Sequence, residues 1–190
     1  MRLGIFGGTF DPPHVGHLLA ASDAIEELAL DRLLLVPAAV QPFKGEATEA
    51  APDQRLAMTR LLAGDDPRFE VDPIEIERTG LSFTVDTLTA LAAREPDAER
   101  FLIVGEDVLA SFAKWRNPTR VLELATVAVL RRDDGPPWLP PAGGRFRPLT
   151  TRRVEVSSTE IRARVRAGRS IRGFVPDAVA AYIAAAGLYR

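Results

Sequence analysis

Four short stretches of the chain are almost unbroken in apolar residues: "RLGIF" (Arg2 to Phe6), "RLLLVP" (Arg32 to Pro37), "RFLIVG" (Arg100 to Gly105) and "TVAVL" (Thr126 to Leu130). Runs of this length without polar alternation suit parallel strands buried on both faces. Between them the apolar positions change period. Leu18, Ala21, Ile25 and Leu28 fall on one face at helical spacing, and Leu88 and Leu91 do so after a start at Thr84. Strand and helix in alternation imply right-handed βαβ units within one twisted sheet. The expectation is an α/β fold with a Rossmann-like doubly wound parallel sheet. Near the end, "VSSTEIRARVRAG" reads as a capped helix, and "VPDAVAAYIAAAGLY" as a second helix closed by Gly187. Two segments read as irregular: Ala38 to Pro52, polar and broken by proline, and Arg131 to Pro148, dense in Pro and Gly.

Composition narrows the picture. At 190 residues the chain suits a single domain, 1–190, long enough to bury a proper core. Apolar residues make up 46% and charged residues 26%, values that argue against disorder. The 24 basic and 26 acidic residues leave a net charge of −2, so no global field draws the chain toward nucleic acid or a membrane surface. Any nucleotide it binds is expected to be small. Cysteine is absent, which removes disulfides, thiolate nucleophiles and cysteine metal sites together. No run has the length of a signal peptide or membrane span, so a cytoplasmic location is expected. A homo-oligomer is compatible with the sequence.

The densest chemical signal is "GIFGGTFDPPHVGH", Gly4 to His17. In a doubly wound sheet, ligands sit at the carboxyl ends of the strands, where helices begin. Gly7 and Gly8 let the backbone turn sharply and approach a ligand, and the free amides of the next helix point into the same space. His14 and His17, three apart at that helix start, share one face near the positive end of the helix dipole. Phosphate is the natural partner. Surface or capping roles would also account for the pair. A metal site ranks lower, because no third ligand stands at a persuasive spacing.

This stretch resembles the signature of the nucleotidyltransferase superfamily with the HxGH motif, in the form found in bacterial nicotinate-nucleotide adenylyltransferases. Further segments carry the same resemblance. "VSSTEIR" (Val156 to Arg162) is similar to the family's second ATP motif; as plain structure it is a well-capped helix, with Ser157 and Glu160 at capping-box spacing. "ERTGLSFTVDTLTAL" (Glu77 to Leu91) is similar to the segment beside the mononucleotide. "LIVGEDVLASFAKW" (Leu102 to Trp115) and "VPAAVQPFK" (Val36 to Lys44) match further parts, as does the closing "YIAAAGLY". Three departures stand out: "QPFK" where the family commonly has "PPHK", Glu106 at an often small position, and Arg116 where an aromatic often follows the tryptophan.

The resemblance implies transfer of the adenylyl group of ATP to nicotinate mononucleotide, giving deamido-NAD and pyrophosphate, with Mg²⁺ on ATP. It implies His17 at the α-phosphate, His14 beside it on the triphosphate, and Ser157, Ser158 and Arg162 at the β and γ phosphates. Gly8, Thr9 and Phe10 would meet ATP through their backbone, with Gly105 and Asp107 toward the ribose and Lys44 toward the phosphates. Thr84 and Trp115 would receive the pyridine nucleotide. The nucleophile is a phosphate monoester with a second pKa of roughly 6, dianionic at neutral pH, so no general base is needed. Phosphopantetheine adenylyltransferases share HxGH-like motifs, but "SFTVDTL" and Trp115 favour a pyridine nucleotide. Nicotinamide mononucleotide is the nearest rival substrate. A binding module without turnover and a dehydrogenase are the readings from other classes; the second lacks GxGxxG.

Overall fold

The computed structural model describes residues 1–41, 48–78, 80–109, 111–132, 144–152 and 154–190. Each apolar run is a strand: β1 (Arg2–Gly8), β2 (Arg32–Pro37), β4 (Glu99–Gly105) and β5 (Thr126–Arg132), joined by β3 (Phe69–Val71) and β6 (Phe146–Thr151). All pairings are parallel, in the order β3-β2-β1-β4-β5-β6. Leu33, Leu34, Leu35 and Val36 of β2 are all inaccessible to solvent. Both faces of the sheet are covered, which is why the central strands show no polar alternation.

The helices divide between those faces. α1 (Val15–Leu28), α2 (Pro52–Ala63), α7 (Ser158–Arg166) and α8 (Asp177–Ala186) pack on one side, where Leu28, Met58, Ile161 and Ile183 meet Leu33 and Leu35. The other side takes α4 (Thr84–Arg94) and α6 (Pro118–Leu124), whose Leu88, Leu91 and Val121 join Leu34, Val36 and Val104. Two short helices, α3 (Ile74–Arg78) and α5 (Glu106–Leu109), complete the set. β1 therefore leads into a helix on one face, while its neighbour β4 leads to helices on the other. Where connections part in this way, a crevice opens between the strand ends, and doubly wound sheets bind ligands there.

The expected helices at the end of the chain form, with Gly187 in the left-handed region (φ 63) closing α8. Other segments differ from expectation. Part of 131–148 is strand, since β5 runs to Arg132 and β6 starts at Phe146; residues 133–143 lie outside the described set. After Gly105 the helix lasts only to Leu109, and a single 3-10 turn, Phe112–Lys114, brings in Trp115. The expected helix start at Thr84 holds, since α4 begins there, with Phe83 in the cap position. No helix among the described residues is long and apolar enough to cross a membrane.

Leu88 is fully buried between α4 and the sheet. Leu88→Ala is expected to lower unfolding stability by about 2–5 kcal/mol, read from urea denaturation as a lower midpoint at unchanged slope.

Candidate active site

At the end of β1 the chain turns sharply. Phe10 takes a left-handed backbone (φ 51), and its ring, 1% exposed, folds back under the strand end. A Cβ on Gly8 would stand 2.9 Å from that ring, so glycine is needed there for the ring to close the turn. His14 follows in extended conformation as the N-cap of α1. His17 Nδ1 accepts a hydrogen bond from the His14 backbone N–H at 3.2 Å, an arrangement that leaves the proton of the neutral ring on Nε2. The two imidazoles lie with centroids 3.8 Å apart and planes tilted by 32°, and Phe10 meets His17 edge-on at 5.0 Å. These ring contacts orient His17 before any ligand arrives.

Burial, not charge, governs His14. Its Nδ1 has no hydrogen-bond partner among the described residues, and desolvation lowers its pKa to about 4. In the free protein His14 is a neutral imidazole at pH 7.

The turn is braced from below by Arg55, which lies outside the sequence motifs, and by two motif residues, Asp11 and Tyr189, to which the resemblance gave no role. Arg55 of α2, fully buried, donates to the carbonyls of Thr9 (2.8 Å), Ala38 (2.6 Å), Ala39 (3.0 Å) and Ala50 (3.3 Å). Burial lowers its pKa, opposed by the charge of Asp11. The Asp11 carboxylate in turn accepts from the amides of Glu49 (2.8 Å) and Ala50 (3.1 Å) and from the Tyr189 hydroxyl (2.7 Å). Tyr189 is drawn from 178 residues away, at the end of the chain.

The second motif meets this turn. Ser157 caps α7, its hydroxyl accepting from the Glu160 amide at 3.1 Å. Ser158 Oγ donates to the Pro12 carbonyl at 2.8 Å across 146 residues of sequence. Arg162 Nη1 donates to the Asp11 carbonyl at 2.8 Å, and its Nε pairs with Glu49 at 2.7 Å. The first two turns of α7 therefore bind the turn that leads into α1, and the two helix starts border one neighbourhood.

A cavity of about 330 Å³ opens from Gly7 and Gly8 across the end of β4. Gly105 and Asp107 line it; a Cβ at Gly105 would overlap the Asp107 carboxylate. Thr84 and Trp115 line its other end, Trp115 half-buried with its ring 5.2 Å from Phe112. Behind Thr84 lies a polar cluster that the motifs did not single out: Thr87 Oγ1 donates to Glu75 at 2.6 Å and accepts from Arg78 at 3.2 Å. Burial raises the Glu75 pKa. Gly8, Thr9, Phe10, His14, His17, Ser157, Ser158 and Arg162 thus gather at one turn, and Gly105, Asp107, Thr84 and Trp115 around the adjoining cavity; Lys44 lies outside the described residues. No group of three His, Asp or Glu side chains among the described residues is placed to hold a metal ion.

A family model for cytidylyltransferase-like proteins matches residues 5–164. A probable nicotinate-nucleotide adenylyltransferase of Gemmatimonas aurantiaca is 54% identical, over 100% of this chain and 93% of its own length. One of Thermus thermophilus is 46% identical over the full length of both. The chain belongs to the nicotinate-nucleotide adenylyltransferase family of cytidylyltransferase-like proteins. Among solved structures, the Plasmodium falciparum nicotinic acid mononucleotide adenylyltransferase complexed with NaAD superposes with a TM-score of 0.79 at 16% identity, covering 99% of this chain and 97% of that one. At that identity the match speaks for the fold of the family.

Two outcomes follow from the site's electrostatics. The folded-state pKa of His14 lies below the ordinary histidine value of 6.5, so the unfolded chain takes up more protons between about pH 6.5 and 4. Stability is expected to fall over that window as pH drops, by up to about 3 kcal/mol, and His14→Gln to remove that portion in urea titrations across pH. Arg55→Leu leaves four carbonyls and Asp11 without their buried cation, and is expected to cost about 3–5 kcal/mol in the same assay.

Proposed function

We propose that this protein transfers the adenylyl group of ATP to nicotinate mononucleotide, releasing pyrophosphate and forming nicotinate adenine dinucleotide, a step of NAD biosynthesis. The observation that carries the reading is the contact of Ser158 and Arg162 with the Asp11–Pro12 carbonyls, which sets two helix starts around one space beside an aromatic-lined cavity. An extended triphosphate running into a second nucleotide has that outline. Domain 1–190 carries the whole site.

In the reaction a phosphate oxygen of the mononucleotide attacks the α-phosphorus of ATP. The bond from that phosphorus to the bridging oxygen breaks, and pyrophosphate leaves with the electron pair. The nucleophile is already dianionic near neutral pH, its second pKa being roughly 6, and needs no base. The protein must bring like charges together and stabilise charge growing on the α-phosphate and the leaving group.

His17 suits the first task, because its neutral tautomer presents Nε2–H as a donor and its ring is held by Phe10 and His14. His14, neutral in the free protein, gains a proton more readily once phosphate charge stands beside it. Ser157, Ser158 and Arg162 take the β and γ phosphates. Arg162 must exchange its Glu49 partner for a phosphate oxygen, and Glu49 keeps a second cation in Arg166 when it does. The backbones of Gly8, Thr9 and Phe10 border the ribose and phosphates, with Gly105 and Asp107 on the ribose side and Lys44 toward the phosphates. Mg²⁺ enters with ATP, held chiefly by phosphate oxygens and water as is usual for this ion. Thr84 and Trp115 receive the pyridine ring, where stacking is worth about 0.5–1.5 kcal/mol beyond burial.

The direct test is pyrophosphate release from MgATP with nicotinate mononucleotide. Turnover is expected, and His17→Ala is expected to lower kcat about a hundredfold, the loss of one preorganised donor, with the fold intact by circular dichroism. Failure of the wild-type protein to release pyrophosphate with this pair would refute the assignment.

A further inference from the structure

The aromatic end of the cavity holds a charged side chain with no part in the roles above. Arg116 follows Trp115, and both line the cavity beside Phe83 and Thr84. Its guanidinium lies over the Phe83 ring, 4.9 Å from the centroid, and Nη1 meets Asp86 at 3.1 Å. Among the described residues lining the cavity Arg116 is the one cation, against the carboxyls of Glu75 and Asp107. A negatively charged ligand group entering a space with two carboxyls meets neutral donors such as Thr84 and Ser111 but one opposite charge, that of Arg116.

We propose that Arg116 is a specificity-determining residue that reads the carboxylate of the pyridine mononucleotide and rejects the carboxamide. This rests on the adenylyl-transfer reading and on Trp115 marking the ring's end of the cavity. The two mononucleotides have the same outline and differ in one feature: the acid presents two acceptor oxygens and a negative charge, the amide one oxygen and one NH₂ donor. One backbone amide can serve an oxygen of either, and on its own it discriminates little. A guanidinium offers five donors and no acceptor, in a planar fork matched to a carboxylate. Against a carboxamide, one arm of the fork faces a donor, and that mismatch is the source of selection.

The resting geometry fits such a reader. The Arg116 and Asp86 side chains are 58% and 39% exposed, and ion pairs this open are held weakly. Asp86 occupies Nη1 and the Phe83 ring lies beneath the guanidinium, so the arginine is held at the cavity yet can share its fork with an incoming carboxylate. Asp86, on the first turn of α4, acts as a positioning residue for Arg116.

The test compares kcat/KM for nicotinate and nicotinamide mononucleotides, with MgATP saturating, in the wild type, Arg116→Gln and Arg116→Lys. Wild type is expected to prefer the acid. Arg116→Gln, whose amide both donates and accepts, should cut the acid-to-amide ratio about tenfold, mainly through KM for the acid. Arg116→Lys, keeping the charge without the fork, should fall between, and raising salt should shrink the wild-type ratio but not that of Arg116→Gln. Arg116 is exposed, so both variants are expected to melt within a few degrees of wild type. An active wild type whose acid-to-amide ratio is unchanged in Arg116→Gln overturns this inference alone. A wild type that adenylylates neither mononucleotide overturns the function it rests on as well.

Discussion

The site depends on one buried cation. Arg55 reaches from α2 into the space between three backbone segments, and its donors meet the carbonyls of Thr9 after β1, Ala38 and Ala39 after β2, and Ala50 before α2. Backbone carbonyls in a solvent-free interior are costly unless paired, and a guanidinium with five fixed donors can satisfy several at once. Asp11 supplies the compensating charge and ties in the chain's end through Tyr189. The β1–β2 ladder holds the strand end itself, and this clasp adds the ties from the turn beyond it to the segment after β2 and to the residue that follows α8.

The second constraint is topological. Because β1 and β4 are neighbours whose connecting helices leave on opposite faces, their carboxyl ends border an open crevice. One side of the crevice is dominated by helix starts and histidines, suited to phosphate. The other is aromatic, with Trp115 and Phe83, suited to a flat ring. A single chain direction thus separates the anionic and planar parts of a nucleotide pair, and the α7 start, anchored on Pro12, closes the phosphate side.

Much of this was legible in the sequence, and the reasons for the misses are physical. The four central strands stand out because burial on both faces demands unbroken apolar runs. β3 and β6 do not, since they are the sheet's edges: β3 has three residues, and β6 carries Pro148 and buries only Leu149 and Thr151 fully. The helix α2 went unmarked because its buried face includes Arg55 and Thr59, so its apolar period is broken at the position that matters most. His14, His17, Ser157, Ser158 and Arg162 were legible through local spacing and resemblance. The Arg55, Asp11 and Tyr189 brace was not, because nothing local ties residues so far apart; nor was the cluster of Glu75, Arg78 and Thr87, in which each member alone reads as an ordinary helix residue. The burial of His14 also escapes sequence reading: the motif places the ring at a helix start but does not show the packing that desolvates it and keeps it neutral.

The central claim is that the starts of α1 and α7 hold one triphosphate between them. A crystal structure of the protein soaked with a non-hydrolysable ATP analogue and Mg²⁺ tests it most directly. The account predicts continuous phosphate density from His17 to Ser158 and Arg162, with the Arg162 side chain released from Glu49. Phosphates bound elsewhere, or touching one helix start while Arg162 stays on Glu49, would contradict it.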